Sequence, residues 1–126
     1  MRTVNLAEKF GRFRERWQPK IAGEINDSYV KLVKFAGDFV WHHHDAEDEL
    51  FLVLRGTMRM RYREDGREVE EMVGPGEFII IPHGMEHCPA SATPDEEVHV
   101  VLLEPKTTLN TGNVQNERTR PVLDRI

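Results

Sequence analysis

Met58, Met60 and Tyr62 alternate with Arg59, Arg61 and Arg63, and the run ends at Asp65-Gly66. Alternation at period two marks a strand with one buried face. Asp-Gly is a hairpin dipeptide, because both positions tolerate the positive φ that a tight two-residue turn needs. The strand that this turn returns is Glu68 to Val73, which sets Arg61 near Glu70 and Arg63 near Glu68. The three arginines are therefore expected to form a paired outer face, with an anion-binding ladder as the alternative. The same grammar recurs along the chain. Ser28 to Phe35 stops at Gly37-Asp38, and Phe39 to His44 follows as an extended run. Leu50 to Leu54 stops at Arg55-Gly56, Phe78 to Ile81 lies between Gly74-Pro75-Gly76 and Pro82-His83-Gly84, and Val98 to Leu103 is the last strong run. Seven or eight short strands divided by Gly and Pro turns predict an all-β sandwich or barrel.

One helix is expected ahead of the strands, over residues 5 to 17. Leu6, Phe10, Phe13 and Trp17 form an apolar stripe, Asn5 is a candidate N-cap and Pro19 lies just beyond the end. The stripe docks on the barrel or covers a partner subunit. Residues 105 to 126 are polar and turn-rich, which predicts an irregular tail after a barrel spanning about 28 to 104. With 126 residues and no linker or repeat, residues 1–126 are expected to be one domain with a core of its own. A net charge of −5 argues against nucleic-acid binding, which needs a basic face. No run approaches the roughly 18 apolar residues that span a bilayer, and the start of the chain lacks a secretory apolar segment. The single cysteine, Cys88, excludes an intramolecular disulfide. A cytoplasmic location is the expectation.

The chemistry is concentrated in GDFVWHHHDAEDELFLVLRG, residues 37 to 56. In an extended segment, residues two apart share a face. His42 and His44 therefore fall together with Val40, while His43 falls opposite with Phe39 and Trp41. Two imidazoles on one side of a strand are a ready pair of metal ligands, and Glu49 is close enough to add an oxygen. A fourth donor must come from elsewhere, and His87, on the expected turn PHGMEHC, where Gly84 lets the chain bend, is the best candidate. Three imidazoles and one carboxylate leave coordination positions open, as a reactive centre needs and a closed structural site does not. His83 is expected to be structural or solvated, and so is His99, which is also a minor candidate for lining the cavity. Cys88 is expected to point away from the ion.

Gly37, His42, His44, Glu49 and Gly56 resemble the first motif of the cupin superfamily: glycine, then His-x-His, then glutamate, then six residues to a glycine. Gly76, Pro82, Gly84 and His87 resemble its second motif. The wider pattern, including EPKTTLNTGN after the last strand, looks like the small single-domain bacterial cupins often labelled mannose-6-phosphate-isomerase-like. Two departures stand out. Four residues, not the usual five, separate Gly37 from His42. Counting five gives the alternative set His43, Asp45 and Glu49, with the opposite face turned inward. Ser91 stands where the second motif often has asparagine, which leaves the ligands intact but alters the hydrogen bonding behind them.

The resemblance implies a jelly-roll β-barrel holding one divalent ion (Fe, Mn, Ni, Co or Zn) in a cavity that takes a small molecule. An ion with three neutral imidazoles and one carboxylate keeps positive charge, and so favours anionic or enolisable oxygen ligands. Phe51, Val53, Met58 and Met60 are expected to give that cavity an apolar lining. Three functions are open: a metal-dependent oxygenase, a metal-assisted isomerase or lyase of a sugar or keto acid, and a non-catalytic module that binds or senses a metabolite. Oxygenase-type chemistry is favoured over the isomerase, because the sequence offers no evident general base besides Glu49. A homodimer is expected, because the Phe39/Trp41 face and the helix stripe offer more apolar surface than one small barrel hides.

Overall fold

The computed structural model describes residues 1–126. Eight strands follow one short helix, and every ladder between strands is antiparallel. The strands are β1 (Lys20–Ile25), β2 (Ser28–Phe35), β3 (Glu49–Arg55), β4 (Met58–Glu64), β5 (Arg67–Val73), β6 (Phe78–Ile81), β7 (His87–Ser91) and β8 (Val98–Pro105). They form a five-stranded sheet in the order β1-β2-β8-β3-β6 and a three-stranded sheet in the order β5-β4-β7. This is the jelly-roll layout of two antiparallel sheets face to face. No helix is long and apolar enough to cross a membrane.

Parity along each strand decides what fills the space between the sheets. Val33 and Phe35 of β2, Phe51 and Val53 of β3, Met58 and Met60 of β4, and Val98, Val100 and Leu102 of β8 all turn inward into one core cluster. Fully burying side chains of this size contributes roughly 1.5–3 kcal/mol each, which makes this the main source of stability. The hairpin of β4 and β5 has the expected register, with Arg61 opposite Glu70 and Arg63 opposite Glu68. Its ion pairs run elsewhere. Arg59 reaches Asp38 and Glu70, and Arg63 reaches Glu86. The Arg61 and Arg63 guanidinium groups lie 5.5 and 4.3 Å from the centre of the Trp41 ring. The β3–β4 turn depends on Gly56, at φ +75°, where an added Cβ would stand 2.6 Å from the Glu97 carbonyl oxygen.

Three expectations are corrected. The helix, α1, covers only Leu6–Phe10, capped by Asn5, whose side chain accepts from the Glu8 amide. Gly11 follows, and by Trp17 the backbone is left-handed at φ 62°. Phe10 and Phe13 do dock, on Leu32 and Val101 of the five-stranded sheet's outer face. Trp17 instead donates from its backbone N to Lys34 O and stacks between Phe35 and Phe39. Second, the sheet begins with β1, eight residues before the expected start, joined to β2 by a turn with Asn26 at φ 49°. Third, His87 is not in a turn but is the first residue of a strand, β7.

The tail beyond β8 is irregular, as expected, but it is tied down. Ile126 N donates to Ile21 O, Ile21 N to Asp124 O, and the Arg118 guanidinium to Asp38 O.

Candidate metal centre

The segment from Asp38 to His44 runs beside β7 without forming a continuous ladder. Only two bridges tie them, Asp38 to Ala90 and His42 to His87. Four chain steps from Asp38 to His42 thus face three from Ala90 to His87, so one extra residue is inserted, as in a β-bulge. The insertion breaks the strict alternation predicted for this stretch. Phe39 therefore does not face outward with Trp41: its ring meets the His42 ring edge-on, with centroids 5.3 Å apart, and both line one cavity.

At the His42–His87 bridge the two residues exchange both backbone hydrogen bonds, at 3.0 and 2.9 Å. Each imidazole is then oriented by a carbonyl two residues back. Nδ1 of His42 lies 2.9 Å from Val40 O, and Nδ1 of His87 lies 2.9 Å from Met85 O. This leaves Nε2 of both rings free to point at a shared centre. His44 arrives from the same segment, its carbonyl accepting from the Gly84 amide at 2.7 Å. Glu49 arrives as the first residue of β3.

His42, His44, Glu49 and His87 are all buried, and their donor atoms lie within 4.8 Å of one another. His44 Nε2 and His87 Nε2 are each 3.0 Å from Glu49 Oε1. Despite that closeness, none of these three atoms has a hydrogen-bond partner of acceptable geometry. They converge on a point rather than on one another. Donor atoms about 3 Å apart are close enough to share one ion. Orphaned buried polar atoms are expensive, so a cation there resolves what the protein alone leaves unmet.

The electrostatics agree. Burial, reinforced by the neighbouring His87, lowers the His42 imidazole to about 4, so the ring is neutral and its lone pair available at ordinary pH. Burial alone would raise the Glu49 carboxyl, but the imidazoles of His44 and His87 outweigh it and hold it well below the usual range. A neutral imidazole and an ionised carboxylate are the forms that bind a metal.

The alternative set is separated from this centre. His43 and Asp45 pair with each other at 3.0 Å on the surface, and Asp45 is almost fully exposed. His83 is likewise at the surface, paired with Asp48 at 2.8 Å. His99 does not line the cavity. It points to the outer face, stacked on Phe10 and bonded to Glu97. Cys88 is buried facing Arg61, 3.4 Å from its guanidinium, and burial raises its thiol. Ser91 accepts from the Gly37 amide and donates to Thr93 O, which ties the start of the ligand segment to β7.

His42 and Glu49 stand in a narrow cavity among Trp17, Phe35, Phe39 and Phe51, with about 40 Å³ open to the centres of water-sized molecules. Of the four residues expected to line it, only Phe51 does. Val53, Met58 and Met60 are sealed in the core cluster. Two groups of functional interest lay outside the sequence reading. Glu104, inward on β8, lines the same cavity and accepts from Lys31 Nζ at 2.7 Å, both side chains being buried. Asn113, in the tail, accepts from the His43 amide at 2.9 Å and donates from its backbone N to His43 O at 3.1 Å. Parity would have found Glu104, since it continues the inward series Val98, Val100, Leu102. No local pattern announces Asn113.

Comparison with known proteins agrees with this architecture. A family model described as Cupin domain matches residues 29–104. An uncharacterized protein of Bacillus subtilis, YdbB, is 36% identical over 83 residues, spanning 66% of this chain and 71% of that one. Acireductone dioxygenase of Rhodopseudomonas palustris is 43% identical over 47 residues, which cover 37% of this chain but only 28% of the dioxygenase. Among solved structures, a cupin-2 domain containing protein of Shewanella frigidimarina superposes with a TM-score of 0.74 at 37% identity, covering 82% of this chain and 94% of that one.

Proposed function

The chain belongs to the cupin family, and on that premise we propose that it is a mononuclear metalloprotein acting on a small metabolite that chelates through oxygen, with oxygenase-type chemistry. The observation that carries this reading is the convergence of His44 Nε2, His87 Nε2 and Glu49 Oε1, buried and unpartnered, beside His42 in a narrow apolar cavity. The local likeness to acireductone dioxygenase supports the choice of chemistry. A divalent ion held by His42, His44, Glu49 and His87 would supply Lewis acidity and, if redox-active, one-electron chemistry with dioxygen. The protein's own part is to orient and exclude. The Val40 and Met85 carbonyls fix the rings of His42 and His87, and Trp17, Phe35 and Phe39 keep the approach dry. Glu104 favours keeping a second reading, the isomerase or lyase, because it is a buried carboxyl in the same cavity, a group the sequence had not offered.

Metal analysis of the native protein beside a His42→Ala/His87→Ala variant tests the site. One equivalent in the native and none in the variant is expected, and equal metal in both sinks the assignment. Oxygen uptake over diols, flavonols and 2-oxo acids then tests the chemistry. Uptake with any of them supports the oxygenase. A converted ligand without uptake moves the reading to the isomerase or lyase, and an unaltered, tightly held ligand moves it to a binding module.

We also propose that the partner is a second copy of this chain. Phe10 and Phe13 cover only part of the five-stranded sheet's outer face. Phe78 (60% exposed), Ile80 (53%) and Leu103 form an uncovered apolar strip at the β6 edge, continuous with Leu50 and Leu52 through the β3 pairings. Light scattering should give twice 14.7 kDa, reduced to one chain by Phe78→Glu. A native mass of one chain rejects the dimer.

A further inference from the structure

Three ionisable side chains stand in a row across the inner face of the five-stranded sheet. Leu50 pairs with Leu103, so the next residues along β3 and β8, Glu49 and Glu104, stand side by side. Lys31 of β2 pairs with Leu102, one diagonal step from Glu104, and its Nζ donates to Glu104 Oε1 at 2.7 Å. All three are buried, and the inward residues that flank them, Val33, Phe51 and Leu102, are apolar. Stability does not call for such a row, since well-packed apolar residues serve as well or better. Two carboxyls side by side repel unless a proton lies between them, and here they are hydrogen-bonded. Burial first, and then the charge of Glu49 and the bond to it, raise the Glu104 carboxyl, so Glu104 is the donor. Lys31 occupies Glu104 Oε1, which leaves Oε2, buried and without another partner, for Glu49. Glu49 in turn presents Oε1 to the Nε2 atoms of His44 and His87, 3.0 Å from each.

We propose that Glu104, itself held by Lys31, is a positioning residue that keeps a coordination position free for the ligand: by donating to Glu49 Oε2 it restricts Glu49 to a single metal-binding oxygen. This rests on the metal-site reading above. A carboxylate binds an ion through one oxygen or through both. Glu49 stands among Trp17, Phe35 and Phe39, where an Oε2 without a partner is costly, and the ion would be the nearest group able to satisfy it. A second Glu49 oxygen on the ion would fill the position that a reactive centre keeps open. The Glu104 hydrogen bond gives Oε2 a partner other than the ion, and Lys31 keeps Glu104 from turning away. The competing role is plain support of the fold. It predicts a change in stability, with the surroundings of the ion unaltered.

The experiment uses cobalt-loaded full-length protein without oxygen, titrated with azide, a small anion that binds an open position on the ion. Visible absorption reports both the donors around cobalt and the azide bound. The native protein is expected to hold one cobalt and to take azide. Glu104→Gln keeps a donor for Glu49 and an acceptor for Lys31, and is expected to match the native spectrum, with azide affinity within about twofold. Glu104→Leu is expected to keep one cobalt, to show an altered spectrum before azide is added, and to bind azide about tenfold more weakly or worse. Lys31→Met/Glu104→Leu, which leaves no ammonium unpaired, is expected to behave in the same way and answers the question if the single variant does not fold. A native spectrum and azide affinity in the leucine variants overturn the proposal, and so does a Glu104→Gln variant as impaired as they are. Loss of cobalt from the double variant assigns Glu104 to retention of the ion, and a native protein that binds cobalt but no azide has no position to keep open. Either result overturns this inference alone. A native protein that takes up no cobalt overturns the metal reading, and this inference with it.

Discussion

The two halves of the candidate metal centre are held by different means. Glu49 and His87 are the first residues of β3 and β7, so their backbones are fixed by ladders to β6 and β4. His42 and His44 belong to a segment with no ladder of its own, bridged to β7 at two points across a one-residue bulge. What closes the open side of that segment is the tail. Asn113 brackets His43 with two hydrogen bonds, and Thr107 donates to Glu47 at 2.7 Å. The difference teaches that a strand-end ligand inherits rigidity from the sheet, whereas a loop ligand needs its own scaffold, here supplied from about 70 residues downstream. Metal affinity should therefore be sensitive to the tail and indifferent to comparable damage elsewhere in the barrel.

Among changes that leave all four candidate ligands in place, the largest effect that would break this comparison is at Gly112. Its φ is +54°, and an added Cβ would collide with the His43 carbonyl and come within 3.1 Å of His42 Cδ2. Gly112→Ala must move either the tail or the ligand segment, and metal affinity is expected to fall roughly ten- to a hundredfold, the usual effect of disturbing groups behind a ligand. Gly56→Ala is the matched control, since Gly56 is equally strained, with φ +75° and the Glu97 carbonyl in the way. It should lower stability by roughly 1–3 kcal/mol and leave metal affinity within about twofold. Asn113→Ala is the milder form of the first change, expected to weaken metal binding severalfold. Chelator competition on the folded variants, beside thermal denaturation of the metal-free proteins, separates the two kinds of damage. If Gly56→Ala and Gly112→Ala weaken metal binding equally, the tail has no special part in holding His42 and His44.

Both residues of the sheet-held half of the candidate site can be named from sequence alone. Alternation picks out the inward Met58 and Met60 of β4, and Asp65-Gly66 sets the β4–β5 register, because both signals are local; β3 and β8 read as continuous apolar runs, which period two does not divide into faces. Glu49 and His87 stood at recognisable offsets from glycines and prolines. The other half was only partly legible. Period two selects His42 and His44, yet the bulge between Asp38 and His42 spoils that period and brings Phe39 to the cavity beside His42 instead of outward with Trp41. The helix was overextended because Phe13 and Trp17 keep a helical spacing after the chain has turned at Gly11. Their contacts with the sheet, not their spacing, decide where they lie. Glu104 stands one position beyond the apolar run Val98 to Leu103 that marks the last strand, although β8 itself continues to Pro105. The hold of the tail on His43 is a contact between distant stretches of irregular chain, and no periodicity encodes it.

The smallest expected effect also bears on the comparison, because it concerns which face of the loop half points inward. Under the alternative set, His43 and Asp45 would bind the metal with Glu49, and His42 and His44 would be spectators. In the structure the His43 and Asp45 side chains meet each other at the surface, while His42 and His44 are buried against Glu49 and His87. An exposed pair of this kind contributes little, since water solvates both partners nearly as well when they are apart. His43→Gln and Asp45→Asn should each leave metal content at one equivalent and affinity within about twofold of native, while His44→Gln, one residue from both, should reduce affinity by more than a hundredfold. The contrast is measured by chelator competition on the three variants in parallel. A large loss for His43→Gln with little for His44→Gln would mean that the loop binds metal through its opposite face, and the bulge that sets the present geometry would have to lie elsewhere.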